Sequence, residues 1–397
     1  MSEIKVNSIK GVGASTAAIT VYNSDGTCTA NITNRSNRNL IINGNAKVAQ
    51  RSTSAVASAG YHSVDRYQLD FGGGTDENPS QEQGTVAAGT TPYTEGFRKT
   101  VKITNGNQTT SPASNPDLYF QILYKLEGQD IANSGWNYLS TSSNITLSFW
   151  VKSSVAQEFY FRLQTSDGTS YNYPMSTGSL SANTWTKVTK TIPGNSNLQF
   201  DDDNGQSLTI EWVIYRGTNK TGSDATLDTW KVYDGSQRVP DVTTSFYTTN
   251  DATFEITGVQ LEVGSVATDF EHRLYAQELA LCQRYFYKTY RQGIAPGTDD
   301  VTDIISKRNE MASSRTDHVF NVAYSVPMRA TPTITAYSKA GNSNKFLITG
   351  QDYSGGSEGT FAGTVYRGRK YLNQVSAGTT IPSGSYAHFH FTADAEL

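Results

Sequence analysis

The sequence predicts a mostly-β protein: a β-sandwich domain, one linking α-helix, and a smaller C-terminal β-sandwich. Three observations predict it. Only 17% of the 397 residues are charged while Tyr and Phe number 23 and 16, so the polar surface is built from Ser, Thr, Asn, Gln and Gly, a composition suited to pleated sheets. Short runs of β-forming residues recur between turn residues with no helical pattern among them, the spacing of two packed antiparallel sheets. At one place only the period changes. Tyr275, Leu279, Cys282 and Phe286 fall at i, i+4, i+7 and i+11, one stripe of a helix.

Residues 1–38 carry short β-prone runs at Ile4, Val6 and Ile9 and at Ala18–Tyr22, followed by the turn signal Asn23–Gly26, and are too short to bury a core alone. Residues 39–270 form the main domain. Leu40–Ile42 and Lys47–Ala49 flank the turn Asn43-Gly44-Asn45. Asp65-Arg66-Tyr67 opens a strand that Gly72–Gly74 closes. Thr75–Thr94 reads as loop. Strands are expected at Arg98–Thr104, Leu118–Leu126, Ile145–Lys152, Glu158–Gln164, Thr184–Thr191, Ser207–Tyr215 and Thr253–Leu261. In the third of these, Leu147, Phe149 and Val151 face the core and Trp150 covers something on the second face. Phe254, Ile256, Gly258 and Gln260 alternate with Glu255, Thr257, Val259 and Leu261. Gly264-Ser265 breaks that strand, and Thr268-Asp269 supplies oxygens to cap a helix over 271–290. Residues 291–397 form the second β domain, opening with a loop or hairpin through 316. Pro327 and Pro332 bracket an edge, and strands are expected at Thr333–Ser338, Lys345–Thr349, Thr360–Arg367 and Tyr386–Thr392.

Charge and cysteine content exclude several functions. A net charge of −4 without basic clusters disfavours nucleic-acid binding, since phosphate neutralisation needs grouped Lys and Arg; Arg367-Gly368-Arg369-Lys370 is short and reads as a solvated loop. Cys28 and Cys282 have no metal or redox spacing, and no disulfide is required, which suits a reducing cytosol. No apolar run is long enough for a spanning helix, and the N-terminus has no signal-peptide pattern. No nucleophile motif marks an enzyme, and no cofactor is expected.

The stretch ITGVQLEVGSVATDFEHR followed by ELALCQRYFYK resembles a segment of virion structural proteins of tailed bacteriophages, in particular tail-fibre-like and head-fibre-like proteins of marine phages. NLIINGNAKVAQRS, VDRY, LSFWVKSS, VPMRATPTIT and FTADAEL resemble further landmarks of that group, so the likeness runs from Asn39 to Leu397. It implies a jelly roll of carbohydrate-binding type and a homotrimer. It also implies residence in the virion after assembly in the host cytoplasm. Residues 1–38 are then expected to attach the chain to another phage protein of tail or capsid. The opposite end is expected to bind a host-surface glycan without inserting into the membrane. Two other readings stay open: a capsid-decorating head fibre, and a glycan depolymerase carrying a carboxylate pair in a groove.

Candidate site residues follow. Asp201 and Asp203 precede a Gly turn at alternating positions, the arrangement of oxygen ligands for a structural Ca²⁺, though an EF-hand pattern is not met and a solvated turn is the plainer reading. His388 and His390 share one strand face, as part of a metal shell on a threefold axis or as an exposed polar face, with Phe389 and Phe391 in the core. Trp136, Tyr171, Tyr173, Tyr366 and Tyr371 lie in or beside predicted loops and are candidate platforms for sugar rings; packing is the plain alternative for each. Leu274, Leu281 and Tyr285 lie off the helix's core-facing stripe and are candidates for contact between copies.

Overall fold

A computed structural model of the chain describes residues 37–350 and 356–397 and three short N-terminal strands, with the side chains of 317–320, 363–366 and 375–377 and nearly all of those before 37 left undescribed. In chain order the strands are β1 (Ser8–Ile9), β2 (Ile19–Val21) and β3 (Cys28–Ala30), then β4 (Tyr67–Gly72), β5 (Ser80–Thr85), β6 (Lys99–Thr104) and β7 (Tyr119–Glu127). Next come β8 (Asn144–Ser153), β9 (Glu158–Thr165), β10 (Tyr171–Ser179), β11 (Thr186–Pro193), β12 (Gln206–Arg216), β13 (Lys231–Val232) and β14 (Thr253–Val263). The C-terminal set is β15 (Phe286–Lys288), β16 (Ile305–Arg308), β17 (Arg315–Ala323), β18 (Thr333–Tyr337), β19 (Lys345–Thr349), β20 (Ser357–Arg367), β21 (Tyr371–Ile381) and β22 (Tyr386–Asp394).

Strands β4 to β14 form two antiparallel sheets, of order β13-β10-β9-β12-β7-β4 and β11-β8-β14-β6-β5. The chain passes back and forth between them, which is the jelly-roll habit that the resemblance implies. Their inner faces meet in one core, where the Phe149 ring of one sheet stands edge-on to Phe161 and Trp212 of the other at 5.0 and 5.7 Å. Trp150 does cover a second face: with Val86 and Phe97 it forms a small outer cluster, and its indole N–H donates to Glu95 at 2.9 Å.

Strand β14 departs from simple alternation. Gly258 sits at φ +63°, and a Cβ there would stand 2.7 Å from the Phe97 ring, so the position demands glycine. The resulting bulge between Thr257 and Gln260 shifts the phase. Val259 and Leu261 therefore join Phe254 and Ile256 in the core, while Gln260 and Glu262 turn to the other face.

Several strands were hidden from the sequence reading, β5, β10 and β21 among them. β5 lies inside the expected loop Thr75–Thr94 and pairs with β6. β10 contains Pro174, which cannot donate in a ladder; the neighbouring β13 covers only Tyr171 and Asn172, and at Pro174 the edge needs no donor, since its carbonyl accepts from the Asp228 N–H at 2.8 Å. The helix is shorter than expected, Tyr275–Gln283, and the chain returns to β structure at Phe286. Thr268 does not cap it, because its hydroxyl donates to Glu262 at 2.7 Å; Gln277 instead accepts from the Leu274 N–H at 3.2 Å. Its buried face carries Glu278 and Cys282, with Tyr275 in solvent.

In the C-terminal region β22 is the central strand, pairing with β15 and β16 on one side and β18 and β19 on the other. Beyond β19 the sheet continues through β20, β21 and β17. Phe389 and Phe391 lie in its core, as expected, but His388 and His390 are fully buried rather than solvent-facing. His390 stacks on Tyr290 at 3.9 Å, and its two nitrogens approach Thr289 Oγ1 at 3.1 Å and the Asp300 carbonyl at 3.3 Å. The N-terminal strands β1, β2 and β3 form a three-stranded antiparallel sheet; the turn Asn23–Gly26 and most of the expected attachment segment lie outside the described residues.

Candidate functional site

The motifs that carry the resemblance converge on the junction between the two cores. Asn39 accepts from the Leu261 N–H at 3.1 Å, and Glu271 accepts from the Asn39 N–H at 2.9 Å. Glu278 of the helix accepts from the Asn43 N–H at 2.6 Å, and Gln50 donates to the Phe286 carbonyl at 2.8 Å. Arg66, from the VDRY stretch, pairs with Glu396 near the chain's end and stacks over Tyr285 at 3.4 Å. Arg51 bonds Asp394 at 2.9 Å, and Arg284 binds both oxygens of Glu127 at 2.8 and 2.6 Å. Every one of these arginines meets a carboxylate. The motifs therefore encode a joint rather than a ligand site.

The outer face of the six-stranded sheet is different. Alternation places Asp70, Gln121, Glu211, Arg162 and Asn172 on the side away from the core, on five neighbouring strands. They link into one ribbon. Gln121 donates to Asp70 at 2.7 Å and accepts from Arg216. Arg216 also donates to Glu211, which takes a second bond from Arg162 at 2.6 Å. Arg162 donates to Asn172 at 3.1 Å, and Asn172 donates to the Arg238 carbonyl at 2.8 Å. Arg162, Arg216, Glu211, Gln121 and Asn172 are all buried, forming a rigid polar floor. Half-exposed Tyr119, Tyr160 and Tyr233 stand at its rim, and the Tyr233 ring has Arg162 at 5.4 Å and Arg238 at 5.5 Å.

Electrostatics fix the protonation of this floor. Burial alone would raise the Glu211 carboxyl, but Arg162, Arg216 and Arg238 outweigh it and hold the group down at about 2. Burial and the two neighbouring guanidiniums bring Arg216 down to about 10, still charged at neutral pH. Asp70 is pushed up by burial, which outweighs its bond from Gln121 and the nearby Lys125 and Arg216. Both Glu211 oxygens are engaged by arginines, yet Nε and Nη1 of Arg216 and Nε of Arg162 have no hydrogen-bond partner.

Comparison with solved structures finds distant likenesses. The enzymatically active domain of tailspike protein 4 from bacteriophage CBA120 matches at 9% identity and TM-score 0.29, over 57% of this chain and 22% of that one. The family 11 carbohydrate-binding module of Clostridium thermocellum with a mixed-linked tetrasaccharide matches at 13% and 0.25, over 51% of this chain and 91% of the module. A family 30 carbohydrate-binding module matches at 12% and 0.26, over 59% and 98%. The chain thus spans about a fifth of the tailspike's length, and likenesses this remote assign no function. No family model and no curated protein matches the chain.

The residues singled out in the sequence do not gather on this face. Trp136 and Tyr173 are buried in the sandwich core, which removes them as surface platforms; Trp136 donates to the Ser143 carbonyl and Tyr173 packs on Trp230. Tyr171 is half-buried against the same core. Tyr371 is exposed on the C-terminal sheet, and the Tyr366 side chain lies outside the described residues. Tyr285 is buried within its own chain and donates to Glu127 at 2.6 Å, so it is not available to another copy; Leu281 is half-buried and Leu274 is 74% exposed. Asp203 accepts from the Gly205 N–H at 2.7 Å, an Asx turn, and Asp201 accepts from Gln199 at 3.0 Å. The signal that would have found the face is a charge of each sign inside an apolar strand: Arg162 in EFYFRLQT and Glu211 in QSLTIEWVIYR.

Proposed function

We propose that this chain is a particle-borne adhesin of a tailed phage, attached through its N-terminal segment and holding a host-surface glycan on the outer face of its six-stranded sheet. The observation that carries the reading is the ribbon from Asp70 to Asn172 with tyrosines at its rim. Sugar recognition needs fixed donors and acceptors for hydroxyls and flat rings for the apolar faces of pyranoses. The buried, mutually bonded floor holds the face in place with little ordering cost on binding, and half-exposed Tyr119, Tyr160 and Tyr233 supply flat rings and hydroxyls at its rim. Glu211 is held ionised with both oxygens occupied, which makes it a poor general acid or nucleophile and favours binding without catalysis. Association into a homotrimer would multiply a weak site into an avid one.

Two experiments test the reading. On a glycan array, the full chain binds saccharides, and Tyr160→Ala with Tyr233→Ala loses most of that signal while retaining its melting temperature. Full binding by the double variant would move the site elsewhere. Gold-labelled antibody against 291–397 then decorates the tail or its fibres on intact virions. Label over the head would favour the capsid-decorating reading instead, and unlabelled particles would overturn the virion assignment.

A further inference from the structure

We infer that a small cavity at the edge of the six-stranded sheet holds the terminal residue of a neutral saccharide chain, so that the protein recognises chain ends rather than chain interiors. The inference rests on the glycan-binding reading above and adds the part of the ligand that is recognised. The segment from Thr221 to Val239 closes the β10 edge. Lys231 and Val232 pair with Asn172 and Tyr171, the Asp228 N–H donates to the Pro174 carbonyl at 2.8 Å, and the Tyr233 N–H donates to the Ser170 carbonyl at 2.8 Å. Asn172 and Pro174, two apart on β10, share the outer face of the sheet. Both line the cavity, together with Asp224, Lys231, Asp234 and Gln237 of the closing segment. The polar ribbon ends at Asn172, so the cavity stands where the face stops. A saccharide laid along the ribbon therefore ends in it.

The cavity's polar groups differ from the buried arginines of the floor, since Asp224, Lys231 and Asp234 are exposed to solvent. Neighbouring groups position them and leave capacity over. Lys231 Nζ donates one hydrogen to the Asp224 carbonyl at 2.7 Å, and Gln237 Oε1 accepts from the Asp224 N–H at 3.2 Å. Asp234 Oδ1 accepts from the Ser236 N–H and hydroxyl at 2.8 and 2.7 Å. Among the described residues, the Gln237 amide nitrogen, Asp234 Oδ2 and the Asp224 carboxylate make no hydrogen bond. A sugar hydroxyl both donates and accepts, so free amide and ammonium donors beside free carboxylate acceptors match neighbouring hydroxyls on one ring. Val232, 59% exposed, adds an apolar wall for the C–H face of that ring. Size and charge narrow the ligand further. The cavity measures about 190 Å³, well under the roughly 300 Å³ at which drug-sized pockets begin, so it takes one sugar unit and not a run of them. Its lining carries two aspartates against one lysine, so an acidic sugar would meet like charge there.

The test titrates the full chain by calorimetry with neutral gluco-, galacto- and manno-oligosaccharides of three and six units, with the matching polymers, and with hexagalacturonate as the acidic counterpart. For the neutral sugar that binds, one protein is taken up per chain end whatever the chain length. Asp224→Ala, which removes no side-chain bond within the chain, weakens that binding about tenfold, the scale of one hydrogen bond to a charged group, and leaves the melting temperature unchanged. Several proteins bound along each polymer would overturn end recognition and leave the glycan reading standing. Wild-type affinity in Asp224→Ala would overturn the cavity as the place of binding. Uptake of hexagalacturonate alone would overturn the neutral class. If neither neutral nor acidic saccharides bind, both readings fall.

Discussion

The junction and the sheet face both bury arginines, and they do so for different ends. At the junction Arg51, Arg66, Arg273 and Arg284 face Asp65, Asp394, Glu396, Glu271, Glu278 and Glu127, so each arginine has at least one carboxylate within the chain. Arg66 has one unpartnered nitrogen, but its guanidinium lies over Tyr285 and Tyr124. On the face, three arginines gather around one carboxylate and donors are left over. A network that pairs across two cores works as a fastener. One confined to a single sheet face stiffens that face and leaves its rim to bind, and that contrast separates scaffold from site more clearly than exposure does.

The largest effect that would test the contrast is at the fastener. Glu396→Gln leaves Arg66 buried beside a neutral amide, and breaking one partner of a buried pair costs about 3–5 kcal/mol. Urea denaturation should show both the sandwich and the C-terminal sheet losing stability together, since Glu396 joins them. A loss confined to the C-terminal sheet would mean that the junction does not couple the two cores.

Acid should separate the same two regions. Glu211 is depressed from 4.5 to about 2 in the fold, so it contributes about 3 kcal/mol that is present above pH 4.5 and lost as pH falls towards 2. His388 and His390 are depressed below 6.5 by burial. They stay neutral in the fold while the unfolded chain takes up protons, so the C-terminal sheet begins to lose stability as pH drops below 6.5. Hydrogen exchange followed from pH 7 to 3 should therefore open β22 before β12. Simultaneous opening would argue that the histidines are not held neutral.

A smaller, local effect is expected at the rim. Tyr119→Ala removes a half-exposed ring from the face and should weaken saccharide binding by roughly 1 kcal/mol, with no more than a small change in stability. Calorimetric titration checks it, and unchanged affinity would remove Tyr119 from the binding surface.

How far the sequence carries depends on what each residue is asked to do. Strands such as Ile145–Lys152 and Ser207–Tyr215 are legible because one face is core, which imposes a period of two. β10 was missed because Pro174 and the following Gly178 read as turn residues, and only the edge position excuses them. The helix was read as too long because Phe286, which closes the helical stripe, suits a β-strand equally well. The face was invisible for another reason. Its floor is assembled by register: Arg162 meets Glu211 because β9 pairs with β12, and Gln121 meets Asp70 because β7 pairs with β4. Those pairings join residues 49 and 51 positions apart, and no local pattern encodes them.

The mildest substitution addresses whether the junction also serves between copies. Leu274 is 74% exposed at the helix's start, next to Tyr275 at 47%, where an isolated chain gains nothing from apolar side chains. Leu274→Ser should change the stability of a lone chain by no more than about 0.5 kcal/mol, since no buried contact is lost. If the helix packs against its copies as the fibre resemblance implies, the same substitution lowers the mass measured by sedimentation from trimer towards monomer at low concentration. A trimer that survives Leu274→Ser unchanged would place the contact between copies elsewhere. The junction would then be a fastener within one chain and nothing more.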